Sequence, residues 1–273
     1  MLVAVACDAP VPDAPDPAEA RALAAEACPH VARAFFYSVT KDGHTSYLLG
    51  TRHAGVGFDK LPPDVKARFG ASQTLVLESV AHGALDEAPV TQTIEAQLGP
   101  ELWSKYRWLV GKEPAARVNM KSPTRALAEL VLMYEDTSQK LDQELEQRAR
   151  AAKREVIGLE GPEETRAIGE EVIGIDHLRT ILRSIRNRAD IRYSTKSGLA
   201  AFCTGDTPPG AAPDGSKLAA SVAQRNHAWL ATLEPLLARG NVFIAVGAKH
   251  ITDPGGLVDL LRKDGFTVRL EVR

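Results

Sequence analysis

Four short apolar runs constrain this chain more than any other feature in it. Tyr47-Leu48-Leu49, Thr74 to Leu77, Glu155 to Leu159 and Val242 to Val246 show little alternation of apolar and polar residues. Runs of this kind belong to strands covered on both faces, as in a parallel sheet wrapped by helices. Each run leads into a residue that can carry chemistry. Gly50 ends the first and His53 follows; Glu78 ends the second; Glu160 ends the third; Gly247 ends the fourth and His250 follows. If the strands lie parallel, the four polar side chains share one rim, the edge where open α/β sheets gather ligands and catalytic groups. Gly50 and Gly247, lacking a Cβ, are expected to turn the chain sharply off the strand ends and let an imidazole swing back.

The rest of the chain reads as scaffold. Pro17 to Cys28 suits a short helix. Ala34 to Thr40 and Thr45 to Leu49 flank Asp42-Gly43, the pair that a tight hairpin turn prefers. Leu61-Pro62-Pro63-Asp64 looks like a helix start, with Gly70 as its stop. Helical segments follow Val80, broken at Gly99-Pro100 and Gly111. Ser122-Pro123-Thr124 starts a helix with Leu127, Leu130, Val131 and Tyr134 on one face, and Leu141, Leu145 and Ala149 continue at helical spacing. A long stripe runs through Ile168, Val172, Ile175, Leu178, Leu182 and Ile185. After a loop over 205–215, Ser216 caps a helix with Leu218, Val222, Trp229 and Leu233, which Pro235 kinks or ends. Asp253-Pro254 starts one more helix, stopped by Gly265, and Thr267 to Val272 reads as an edge strand. The expectation is an α/β fold: a central, mostly parallel sheet with an N-terminal β-hairpin, covered by helices. Residues 1–30 form a tether and residues 31–273 a single domain.

At 273 residues and 44% hydrophobic, the chain can bury a sizeable core. A formal net charge of -2 gives no electrostatic case for nucleic acid, and no apolar run reaches the roughly 20 residues of a membrane span. Val5-Ala6-Cys7, followed by an Asp/Ala/Pro-rich stretch, resembles the end of a bacterial lipoprotein signal. On that reading Cys7 is acylated and the domain is exported, periplasmic or on the outer cell surface, on a tether. If Met1 is the true start, the stretch is a disordered cytosolic tail. Cys28 and Cys203 are then either a disulfide, suited to an oxidising compartment, or two buried thiols.

Two neutral imidazoles with carboxylates suit a divalent transition ion: zinc, manganese, iron or cobalt. An ion held by His53 and His250 with a carboxylate could bring the pKa of bound water down towards ~7, and a second carboxylate could act as general base; Glu78 is either the third ligand or that base. Arg225-Asn226 sits mid-helix, opposite the apolar stripe, where a polar task such as anchoring a substrate carboxylate or stabilising an oxyanion is plausible. His44 reads as a turn residue, His177 as surface, and His82 and His227 as solvent-facing or supporting. No phosphate-binding Gly-rich loop, dinucleotide fingerprint or Gly-x-Ser-x-Gly elbow is present.

With these pieces in order, the sequence resembles the TraB/GumN family, to which the Tiki metalloproteases belong. The matching pieces are SYLLGTRHAG followed by LP; TLVLE; LDQELEQRARAAKREVIGLEGPEE; QRNHAWL; and VFIAVGAKHITDPGGLVDLLRKDGF, spanning roughly 34–273. The family is similar to erythromycin-esterase-like and haem-binding lipoprotein folds. The resemblance implies metal-dependent hydrolysis of a peptide or protein, with two Gly-x-x-His motifs and a glutamate: His53, His250 and Glu78 as metal and catalytic residues. Arg225 and Asn226 match the family's Arg-Asn element and Glu160 its Leu-Glu element, which implies that all three position substrate. Rival expectations are a non-catalytic binding protein for a haem, a peptide or a signalling molecule, or an inhibitor of peptide-signal production.

Overall fold

The computed structural model describes residues 10–80, 90–164, 167, 172, 174–206, 216–253 and 255–271. Cys7, His82 and most of the stripe from Ile168 to Val172 lie outside the described residues. At the centre is a six-stranded sheet: β1 (Phe36–Lys41), β2 (His44–Thr51), β3 (Thr74–Ser79), β4 (Glu155–Glu160), β5 (Val242–Gly247) and β6 (Thr267–Leu270), in the order β4-β3-β5-β2-β1-β6. The pairs β4–β3, β3–β5 and β5–β2 are parallel, and β1 alone runs against its neighbours β2 and β6. The fold is therefore α/β with a mostly parallel sheet and an N-terminal hairpin. Asp42 (φ 51) and Gly43 (φ 80) make the hairpin turn in the left-handed region, whose twist matches that of the strands it joins.

Adjacent residues on the parallel strands point to opposite cores. Leu49, Leu75, Leu77, Phe243 and Ala245 face one apolar cluster, and Leu48, Val76, Ile244 and Val246 face another. This double burial is why the runs carry no polar alternation. On the first face pack α1 (Pro17–Ala27), α2 (Pro63–Ala71), α6 (Leu141–Ala151) and the end of α8 (Arg188–Thr204). On the second pack α9 (Lys217–Arg239) and α11 (Leu257–Lys263). A third core, without sheet, joins α3 (Ile94–Val110), α4 (Lys112–Val118), α5 (Pro123–Val131) and α7 (Ile175–Ser184) around Tyr106, Leu109 and Leu130. Helix starts follow the sequence signals. Asp16 accepts from Ala18 N at 2.8 Å, Ser122 from Arg125 N at 3.3 Å and Ser216 from Ala219 N at 3.1 Å.

Several expectations change. Gly70 lies inside α2, which ends at Ala71 with Ser72 as its cap. The stripe through Tyr134 and Leu141 is two helices separated by residues 132–140, and Val131 is 42% exposed. Pro235 does not end α9, which runs on to Arg239. The last helix starts after Gly256, and a short helix, α10 (Lys249–Thr252), precedes it. Helix α8 was not foreseen. Cys28 and Cys203, 175 residues apart, are joined by a disulfide with Cα atoms 5.7 Å apart. Among the described residues no helix is long and apolar enough to cross a membrane.

Candidate functional site

Because β2, β3, β4 and β5 run the same way, their C-terminal ends meet at one rim. Thr51 pairs with Gly247 across the β2–β5 ladder, and Ser79 with Glu160 across β3–β4. The two glycines do not turn the chain as expected. Neither adopts positive φ; Gly50 is within β2 and Gly247 is the last residue of β5. Their use is close approach. A Cβ on Gly50 would stand 2.8 Å from the Phe35 Cβ and 3.2 Å from Ala248. A Cβ on Gly247 would stand 3.4 Å from Glu78 Oε2, 3.7 Å from His250 Cδ2 and 3.9 Å from His53 Nε2. The space over Gly247 is thus a cradle on which the three side chains converge.

One side of the cradle is buried and fully wired. Arg225, on α9, donates from Nε and Nη2 to both oxygens of Glu160 and from Nη2 to Glu78 Oε1. Trp229, one turn on, donates from Nε1 to Glu160 Oε1 at 3.0 Å and packs its ring 4.4 Å from the His250 ring. Glu78 Oε2 accepts from Gly247 N at 3.2 Å, and its Oε1 lies 3.5 Å from His250 Nε2. Burial alone would push the Glu78 carboxyl up. The pull of His250, then of His53 and Arg225, reverses this and holds it well below the usual carboxylate range.

His250 lies on α10 rather than in a loop, with its side chain 5% exposed. Its orientation is set by Asn226, which is not opposite the apolar stripe but in it, between Val222 and Trp229 at helical spacing, and wholly buried. Asn226 Nδ2 donates to the carbonyls of His250 (3.3 Å) and Gly255 (3.1 Å). Its Oδ1 must therefore accept, and His250 Nδ1–H donates to it at 2.7 Å. His250 Nε2 is left to face the cradle, 3.5 Å from Glu78 Oε1.

His53 stands across the cradle, just beyond β2, with 72% of its side chain exposed. Asp142, in the first turn of α6, accepts from its Nδ1 at 2.9 Å. This bond is the main reason that the His53 imidazolium is favoured, with its pKa pushed up to about 9 against the opposing effect of desolvation. Here too Nδ1 is tied to an acceptor and Nε2 faces the cradle. The next residue back, Arg52, pairs with the buried Glu135.

All six residues singled out from the sequence lie at this rim. Glu78, Glu160, Arg225, Asn226 and His250 form one connected network, and His53 faces it. His44 lies at the hairpin and His227 on the exposed side of α9, both away from the cradle. Two residues were missed. Asp142 has the look of an ordinary acidic first-turn residue. Trp229 was read as apolar stripe alone, although a buried indole N–H needs an acceptor. The donors fit a transition ion in kind: two imidazole Nε2 atoms with Nδ1 held from behind, and a deprotonated carboxylate. Among the described residues, no group of three His, Cys, Asp or Glu is spaced to hold an ion as it stands.

The model of the TraB/PrgY/gumN family matches residues 35–270. No curated protein and no solved structure matches the chain.

Proposed function

From the premise that the chain belongs to the TraB/PrgY/gumN family, we propose that it is a metal-dependent hydrolase acting on peptide bonds. The observation that carries this reading is the pair of imidazoles with Nδ1 tied back, to Asn226 and to Asp142, and Nε2 turned with Glu78 onto one cradle over Gly247. His53, His250 and Glu78 would hold the ion, which when bound supplies a Lewis acid and an acidified water. Glu78 acts as a ligand rather than as general base, because a carboxylate held so low is a poor proton acceptor at neutral pH. Arg225 holds Glu78 and Glu160 in place through its hydrogen bonds and helps to keep Glu78 charged. It presents its cation at the cradle's edge, where an oxyanion or a substrate carboxylate could share it. Asn226, wholly buried, orients His250 and does not reach substrate.

The Cys28–Cys203 disulfide supports action in an oxidising, extracytoplasmic compartment. Lipidation of Cys7 remains part of that proposal. Zinc, manganese, cobalt and iron are the candidate ions. Calorimetric titration tests the reading. One divalent ion should bind per chain, and His53→Ala and His250→Ala should each abolish it while the fold persists. A folded wild-type protein that takes up none of these ions would overturn the proposal.

A further inference from the structure

A groove of about 740 Å³ opens beside His53 and runs between α1 and the α5–α6 connection. Its charges are unequally matched. Arg117 is paired with Glu129 at 2.6 Å, and Glu135 with Arg52. Asp136 is buried and accepts from Ser138 and Gln139. Arg21, Arg125 and Lys140 also line the groove, and among the described residues none of the three has a carboxylate partner. Between the cations lie apolar surfaces from Ala128, Leu132 and Met133, with Leu132 40% exposed. Unpaired guanidinium and ammonium groups beside apolar wall recognise carboxylates on an otherwise ordinary chain.

We propose that this groove binds an acidic polypeptide segment, its carboxylates on Arg21, Arg125 and Lys140, and feeds the adjoining peptide bond past His53. As a statement of substrate class, this rests on the hydrolase reading; as a binding surface, it does not. The apolar wall of Ala128, Leu132 and Met133 between the cations suits the side chains of a polypeptide better than a continuous line of phosphates, which favours polypeptide over nucleic acid. A second groove of about 690 Å³ is lined by Arg225 and Glu160 together with Leu159, Ala220 and Trp229.

The test uses the full chain and fluorescein-labelled acetyl-hexaglutamate, hexalysine and a six-nucleotide oligothymidylate, followed by fluorescence anisotropy at low and high salt. Hexaglutamate should bind saturably, and the combined Arg125→Glu and Lys140→Glu variant should bind it at least about tenfold more weakly, with metal uptake unchanged and the fold intact by circular dichroism. Hexalysine and oligothymidylate should bind more weakly than hexaglutamate. No saturable binding of hexaglutamate up to about 1 mM, equal binding by the reversed variant, or equal binding of either other probe overturns the proposal. Hexaglutamate binding by a protein that takes up no metal upholds the groove and sinks only the hydrolase reading.

Discussion

The two imidazoles over Gly247 are held by opposite strategies. His250 is 5% exposed, packed against Trp229, and tied to a neutral amide inside a network of Arg225, Glu78 and Glu160. His53 is 72% exposed and held by one carboxylate, Asp142. A buried network is rigid but expensive to disturb, because each group removed strands another without a partner. An exposed pair is cheap to disturb and free to move. The comparison teaches that one half of the cradle is built with the core, and the other is brought up to it.

The largest expected effect lies in the buried half. Arg225→Ala strands two carboxylates, Glu160 at 5% and Glu78 at 19% side-chain exposure. Denaturant unfolding should show a loss of about 3–5 kcal/mol, and a loss under about 1 kcal/mol would mean that the network is not as closed as it is described. Asn226→Ala comes next. It frees the His250 Nδ1–H and two backbone carbonyls, and should cost about 1–3 kcal/mol in stability and about 10–100-fold in metal affinity. Asp142→Ala sharpens the contrast: a similar loss of metal affinity with stability changed by no more than about 0.5 kcal/mol.

Acid and alkali should separate the two halves. The Glu78 carboxyl is depressed in the folded protein, so its contribution is present above its ordinary value of 4.5 and lost as pH falls below it. The His53 pKa is raised from 6.5 to about 9, so the Asp142 pair contributes fully below 6.5 and loses its effect as pH rises through 9. The alkaline loss should be the smaller, since His53 is exposed to water. Metal uptake should run the other way. Binding must displace the His53 proton, so affinity should rise by up to about tenfold per pH unit below 9 and level off above it. A pH-independent affinity between 6 and 9 would place the ion elsewhere.

The rim was legible because double burial leaves a mark: strands with no polar alternation, each followed by a polar group at the same end. The hairpin was legible in Asp42-Gly43, which only a left-handed turn requires. Helix α8 was not. Its sequence mixes Tyr193, 74% exposed, with Thr195 and Gly198, and it contributes Ile191 to one core and Leu199 and Phe202 to another, so no single stripe stands out. The position of Asn226 was misread because a polar residue inside an apolar stripe looks like an error of phase until His250 is seen opposite it. Asp142 lies 89 residues from His53, and nothing in a first-turn acid says which distant side chain it will meet. The disulfide stayed open for the same reason. Two cysteines 175 residues apart carry no spacing signal, although closing so long a loop could contribute about 5 kcal/mol by chain entropy.

The central claim is that one ion joins the exposed imidazole to the buried one. A crystal structure grown with zinc, phased on the metal's anomalous signal, tests it most directly. The account expects a single ion over Gly247, bonded to Nε2 of His53 and Nε2 of His250 at about 2.0–2.1 Å each, with Asp142 and Asn226 still on the two Nδ1 atoms. A zinc ion bound by other residues, or an ordered cradle without one, would contradict it.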